Sequence, residues 1–131
     1  MSLFKGVDHV AIAAKDSRAL SQWYCDTLGF RILFDNQKDP PTCLVGGEMY
    51  GVLEIMPDNG AAVMQHQPLD PGIRHIAFRV SDFDAAHKSL ADQGVLGLTQ
   101  PGPAAGGGQI AFFQDPEGNL VQIVSRTSEL I

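Results

Sequence analysis

Two short stretches decide the fold: VDHVAIA at residues 7–13 and IRHIAFR at residues 73–79. Each reads as a β-strand rich in β-branched and small residues, with one histidine near its middle. His9 and His75 lie 66 residues apart, and the same offset aligns Ala11 with Ala77, Asp16 with Asp82 and Ala19 with Ala85. Val7, Val10 and Ile12 meet Ile73, Ile76 and Phe78, which keeps apolar opposite apolar. A match that runs through strand, helix cap and helix marks an internal repeat, and a repeat constrains the whole architecture.

Outward from the first stretch, residues 6–14 read as a strand and Asp16 or Ser17 as the N-cap of a helix running to about Thr27. Leu20, Trp23, Tyr24 and Leu28 recur at helical spacing as its buried stripe, and Gly29 marks its end. Strands follow at 30–35, 42–46 and 51–56. From the second stretch, 73–80 is the strand, Asp82 the cap, and 83–93 the helix with Phe83, Ala86 and Leu90 inward and Gly94 closing it. Strands are expected at 95–99, 109–114 and 119–125, with DPEGN at 115–119 as a tight turn. Residues 57–71, broken by Pro57, Pro68 and Pro71, connect the halves. Each half is therefore βαβββ, and one helix covers only one face of a four-stranded sheet. The expected fold is α+β: a single domain over 1–131, in which module one (about 4–56) and module two (about 72–125) pair as partly closed mixed sheets around a shared cavity.

Composition narrows the partners. Hydrophobic residues make up 44% and charged residues 18%, a globular rather than a disordered balance. The net charge of −6 argues against nucleic acid, although a local arginine can still take a small anion. Cys25 and Cys43 form no CxxC pair and read as reduced thiols of a cytoplasmic protein. The N-terminal MSLFKG lacks an apolar signal core. The uncharged run Gln93–Gln114 holds Pro101, Pro103 and six glycines, which no membrane-spanning helix tolerates.

Strand alternation sends Val10, Ile12, Ile76, Phe78 and Val80 toward the helices. His9, Ala11 and Ala13, and likewise His75, Ala77 and Arg79, face the other way. Two further polar residues stand alone in apolar strands: Glu54 in GVLEIM and Gln122 in NLVQIV, 68 residues apart. They occupy the last strand of each half, as the histidines occupy the first. A lone inward carboxylate is costly unless it is paired or ligates a metal. Two imidazoles, a carboxylate and an amide oxygen suit a divalent ion, with Zn, Ni, Co, Mn and Fe all compatible. Each residue also has a plainer reading: a satisfied core histidine, or a glutamate on an exposed edge. Arg79 either holds a substrate carboxylate or closes a surface salt bridge. Met56, Phe112 and Leu120 either line a cavity or fill the core. His66 and His87 read as surface residues. GPAAGGG at 102–108 lacks the lysine and hydroxyl of a phosphate-binding loop and opens no helix.

The DHVAIA and RHIAFRV strands, WYCDTLGF, GVLEIM and GPAAGGGQIAFFQDPEGNLVQIV together resemble the vicinal oxygen chelate superfamily of glyoxalases, bleomycin resistance proteins and dioxygenases over about 4–125. The nearest branch is the short bacterial lactoylglutathione lyases. The resemblance implies a metal held by His9, Glu54, His75 and Gln122, with glutamine where that branch usually has a second glutamate. It implies a substrate bound through two vicinal oxygens and a proton moved through an enediolate, with Glu54 as ligand and base. It also implies a homodimer and a mobile loop at 102–108 beside the cavity. Two other activities occur on the same scaffold: Fe(II) extradiol-type dioxygenation, and metal-free sequestration of a ligand. Whether the modules close within one chain or across a dimer stays open.

Overall fold

The computed structural model describes residues 2–49 and 51–131. The chain forms two compact units, Met1–Val63 and Met64–Ile131. In the first, β1 (His9–Ala14) leads into α1 (Ser17–Leu28), followed by β2 (Arg31–Asp35), β3 (Cys43–Gly46) and β4 (Val52–Pro57). Its mixed sheet has the order β1-β4-β3-β2, with β1 parallel to β4 and the other pairs antiparallel. The second unit repeats the pattern with β5 (Ile76–Arg79), α2 (Phe83–Asp92), β6 (Gly102–Pro103), β7 (Gln109–Gln114) and β8 (Leu120–Ser125), in the order β5-β8-β7-β6. The duplicated βαβββ architecture expected from the sequence is present, and both sheets are open.

Each helix is set by the residues that the repeat aligns. Asp16 accepts a hydrogen bond from the Ala19 backbone N–H at 2.9 Å, and Asp82 accepts one from Ala85 at 3.1 Å. Gly29 ends α1 with a φ of 72°, where a residue with a Cβ would be strained. Alternation along the strands gives each sheet one apolar face toward its helix. In the first unit Ile12, Ala14, Cys43, Val45, Leu53 and Ile55 are buried with Leu20 and Tyr24 of α1. In the second, Ala111, Phe113, Val121 and Ile123 are buried with Phe83 and Leu90 of α2. Burying each large side chain contributes about 1.5–3 kcal/mol, which is what fixes strand register.

Three details differ from the expectation. The buried stripe of α1 is Ser17, Leu20, Ser21 and Tyr24, with Trp23 and Leu28 only half-buried. The serines can go inside because Ser17 Oγ donates to the Pro41 carbonyl at 2.6 Å and Ser21 Oγ to the Ser17 carbonyl at 2.7 Å. The strand expected at 95–99 is a single bridge, Leu96 to Gln114, and the short edge strand is β6. Gly97 takes a φ of 69° there, which breaks the extended run, and Thr99 Oγ1 accepts from the Phe112 N–H at 2.9 Å. Finally, the first strand of the second unit starts at Ile76, so Ile73, 84% exposed, and His75 precede it. Among the described residues, no helix is long and apolar enough to cross a membrane.

Candidate functional site

In the first unit, the parallel register places Ala11 beside Glu54 and Ala13 beside Met56. His9, two residues before Ala11, therefore shares the helix-free face with Glu54 and Met56. Ala11, the register partner of Glu54, and Ala13 are small side chains on that face. His9 Nδ1 donates to Asp8 Oδ2 at 2.9 Å. That hydrogen bond, assisted by the charges of Glu54 and Asp8, holds the His9 pKa above the usual imidazole value. Glu54 is half-buried, paired in register with Leu44 of β3.

In the second unit, Ala77 pairs with Gln122 and Phe112 pairs with Gln122 from the other side. His75 stands on the same face, exposed, with its Nε2 at 3.4 Å from Gln122 Nε2 and its ring edge-on to Phe112 at 5.2 Å between centroids. Gln122 is only 8% exposed, so its amide depends on that neighbour for a partner. In this rotamer Gln122 presents its nitrogen; a half-turn of the amide would present Oε1, the atom able to ligate a metal. Arg79 of β5 makes two hydrogen bonds to Glu129, at 2.9 and 3.3 Å, so its surface salt-bridge reading is realised in this structure.

The sequence-predicted residues thus fall into two sets: His9, Glu54 and Met56 on one unit, and His75, Gln122, Phe112 and Arg79 on the other. Among the described residues, no group of three His, Cys, Asp or Glu side chains gathers in a way that could hold a metal. The donor types nevertheless fit a divalent first-row ion, with two imidazoles, one carboxylate and one amide oxygen. His66 is exposed, whereas His87 is half-buried, bonded to the Thr99 carbonyl at 2.9 Å and stacked on Phe83. Cys25 and Cys43 are free thiols, and burial pushes the Cys25 pKa up.

The segment read as a mobile loop, 102–108, is a hairpin turn with specific anchors. The Ala104 N–H donates to the Gly108 carbonyl at 3.1 Å and the Gly107 N–H to the Ala104 carbonyl at 3.0 Å. Arg126 Nη1 donates to the carbonyls of Ala105 and Gly107. At Gly108 a Cβ would collide with the Ser125 carbonyl oxygen, so only glycine fits. Sequence reasoning missed Asp8, Arg126 and Glu129. Asp8 had a signal in its adjacency to His9; Glu129 lies fifty positions from Arg79 and had none.

A model of the Glyoxalase/Bleomycin resistance protein/Dioxygenase superfamily matches residues 6–123. The chain is 30% identical to a probable lactoylglutathione lyase of Synechocystis sp., covering 92% of this chain and 95% of that one. It is similar to the solved structure of a glyoxalase family protein from Enterococcus faecalis, at 26% identity and a TM-score of 0.75, covering 94% and 99% of the two chains. It is also similar to TnmS3, an antibiotic binding protein from Streptomyces sp. CB03234, at 21% identity and a TM-score of 0.74, covering 97% and 100%. That last likeness speaks to the fold alone.

Proposed function

The chain belongs to the Glyoxalase/Bleomycin resistance protein/Dioxygenase superfamily, and from that premise we propose that it is a metal-dependent lyase or isomerase of the glyoxalase type, acting on a small substrate with two vicinal oxygens. The observation that carries the reading is a repeated one. On the helix-free face of each sheet, a histidine in or just before the first strand accompanies a polar residue of the last: His9 with Glu54, and His75 with Gln122.

In this reading His9, Glu54, His75 and Gln122 are the ligands of one divalent ion, with Zn, Ni, Co, Mn and Fe all compatible. Such an ion, when bound, would polarise the two substrate oxygens and acidify the adjacent C–H. Glu54 is the only carboxylate of the four, so it takes the proton from one carbon and returns it to the next. The Gln122 amide cannot accept a proton at neutral pH and serves only as a neutral donor. Arg79 receives a substrate carboxylate in exchange for Glu129, a like-for-like replacement at a bidentate fork. Met56 and Phe112 supply apolar contacts on their respective faces. The chain works as one functional domain and as a homodimer in the cytoplasm. An extradiol-type dioxygenase would, by the resemblance, need a carboxylate where Gln122 stands.

The test is turnover of methylglyoxal and glutathione, followed as thioester formation, with Ni, Co or Zn added to the purified chain after its metal content has been measured. Thioester formation that depends on the ion is expected. A chain that retains no divalent metal, and binds none on addition, overturns the metal-dependent reading in favour of a binding protein. Metal without turnover removes the glutathione-dependent substrate and leaves the wider class.

A further inference from the structure

We propose that Asp8 is a positioning residue that fixes the tautomer of His9 and so aims its Nε2 at the metal; this rests on the metal reading above. A carboxylate only accepts hydrogen bonds, so the 2.9 Å contact from His9 Nδ1 to Asp8 Oδ2 puts the ring proton on Nδ1. In the neutral imidazole the lone pair is then on Nε2. The His9 ring makes no other hydrogen bond among the described residues. The Asp8 backbone is held in place, because its carbonyl accepts from the Val52 N–H of β4 at 3.2 Å. A carboxylate behind the far nitrogen of a ligating histidine orients the ring and raises its basicity.

The Asp8 side chain is 93% exposed and bonds to its own chain neighbour, an arrangement that contributes little to stability. Its consequence therefore lies in the ring it orients. The second unit lacks this device. The repeat puts Arg74, a donor, at the position of Asp8, and its Nε turns to the Gly72 carbonyl at 3.4 Å. His75 is instead contacted at Nε2 by the Gln122 amide. One imidazole is thus oriented from behind, and the other meets its neighbour at the nitrogen in question.

Long-range proton–nitrogen NMR of the metal-free chain, at a pH where the imidazoles are neutral, reads the tautomer of His9 directly. The wild type is expected to show a protonated Nδ1. Asp8→Ala is expected to lose that preference, and Asp8→Asn, which keeps an accepting oxygen, to retain it. Titration with cobalt should then show Asp8→Ala weakened by about 10- to 100-fold, with Asp8→Asn close to wild type. Circular dichroism confirms that the variants keep their fold. An unchanged tautomer in Asp8→Ala overturns the proposal, as does a shifted tautomer with unchanged cobalt affinity, and both leave the metal reading standing. If the wild type binds no cobalt, the metal reading falls, and with it this role, even where the NMR shows the Asp8–His9 link intact.

Discussion

Set side by side, the two units keep the same apolar framework and diverge in their polar groups. The offset that aligns His9 with His75 puts Asp8 at the position of Arg74 and Ala13 at that of Arg79. On the last strands, Glu54 of β4 corresponds to Gln122 of β8. The helix caps, the buried alternation and the strand order survive in both copies. The first unit therefore brings a carboxylate, Glu54, to its open face, and the second brings the Gln122 amide and Arg79. Burial and capping are demanded by folding in each copy. The charges are not, and they have been free to specialise.

The sharpest way to break this division of labour is to erase it at its polar centre. Glu54→Gln gives both units an amide in the last strand. Removing a positioned base costs about 10²–10⁴ in rate, or about 3–5 kcal/mol of barrier, so the turnover number should fall by that factor while bound metal is retained. Gln122→Glu runs the other way and should leave turnover at or above wild type. Steady-state kinetics alongside metal analysis measures both. Glu54→Gln with full activity would mean that the carboxylate has no proton-transfer role.

The next largest effect tests the asymmetry of the β-turns. Asp115 is 1% exposed, and its carboxylate accepts from the backbone N–H groups of Glu117 at 2.9 Å and Asn119 at 3.0 Å and from Asn119 Nδ2 at 2.8 Å. Asp115→Ala strands these donors and should cost about 2–4 kcal/mol in urea unfolding. In the first unit the segment before β4 carries an exposed Glu48. Glu48→Ala should change stability by under about 0.5 kcal/mol. Equal effects would contradict a buried anchor peculiar to the second copy.

What the sequence revealed and what it hid follow the same line. His9 and Glu54 were legible because strand alternation is a local rule, and each lay out of phase with its apolar neighbours. Asp16, Asp82 and DPEGN were legible because caps and turns are made within a few residues. The strand at 95–99 misled because its apolar residues suggested extension, whereas the left-handed φ of Gly97 breaks it. Arg126 and Glu129 were illegible because their partners, Ala105, Gly107 and Arg79, are distant in sequence and meet only when the sheet forms. Asp8 escaped notice because it lies outside the alternation that singled out its neighbour.

The shared framework makes a smaller, symmetric prediction. Asp16→Ala and Asp82→Ala each remove an N-cap and should each cost about 1 kcal/mol by thermal or urea unfolding. The two values should agree to within about 0.5 kcal/mol if the caps are equivalent. A large excess at either one would show that its aspartate holds more than the helix end.

The smallest effect belongs to the ion pair between Arg79 and Glu129 of the second unit. Arg79 contacts Glu129 through both terminal nitrogens, but the carboxylate is largely exposed. Exposed pairs contribute about 0–1 kcal/mol and weaken with salt. A double-mutant cycle with Arg79→Ala and Glu129→Ala should therefore give a coupling of about 0.5 kcal/mol at low salt that fades in 1 M salt, where the Debye length is about 3 Å. A weak pair is what an exchangeable site requires: a substrate carboxylate that displaces Glu129 gives up little. A coupling well above 1 kcal/mol, insensitive to salt, would make the pair a structural clasp and remove Arg79 from the candidate substrate contacts.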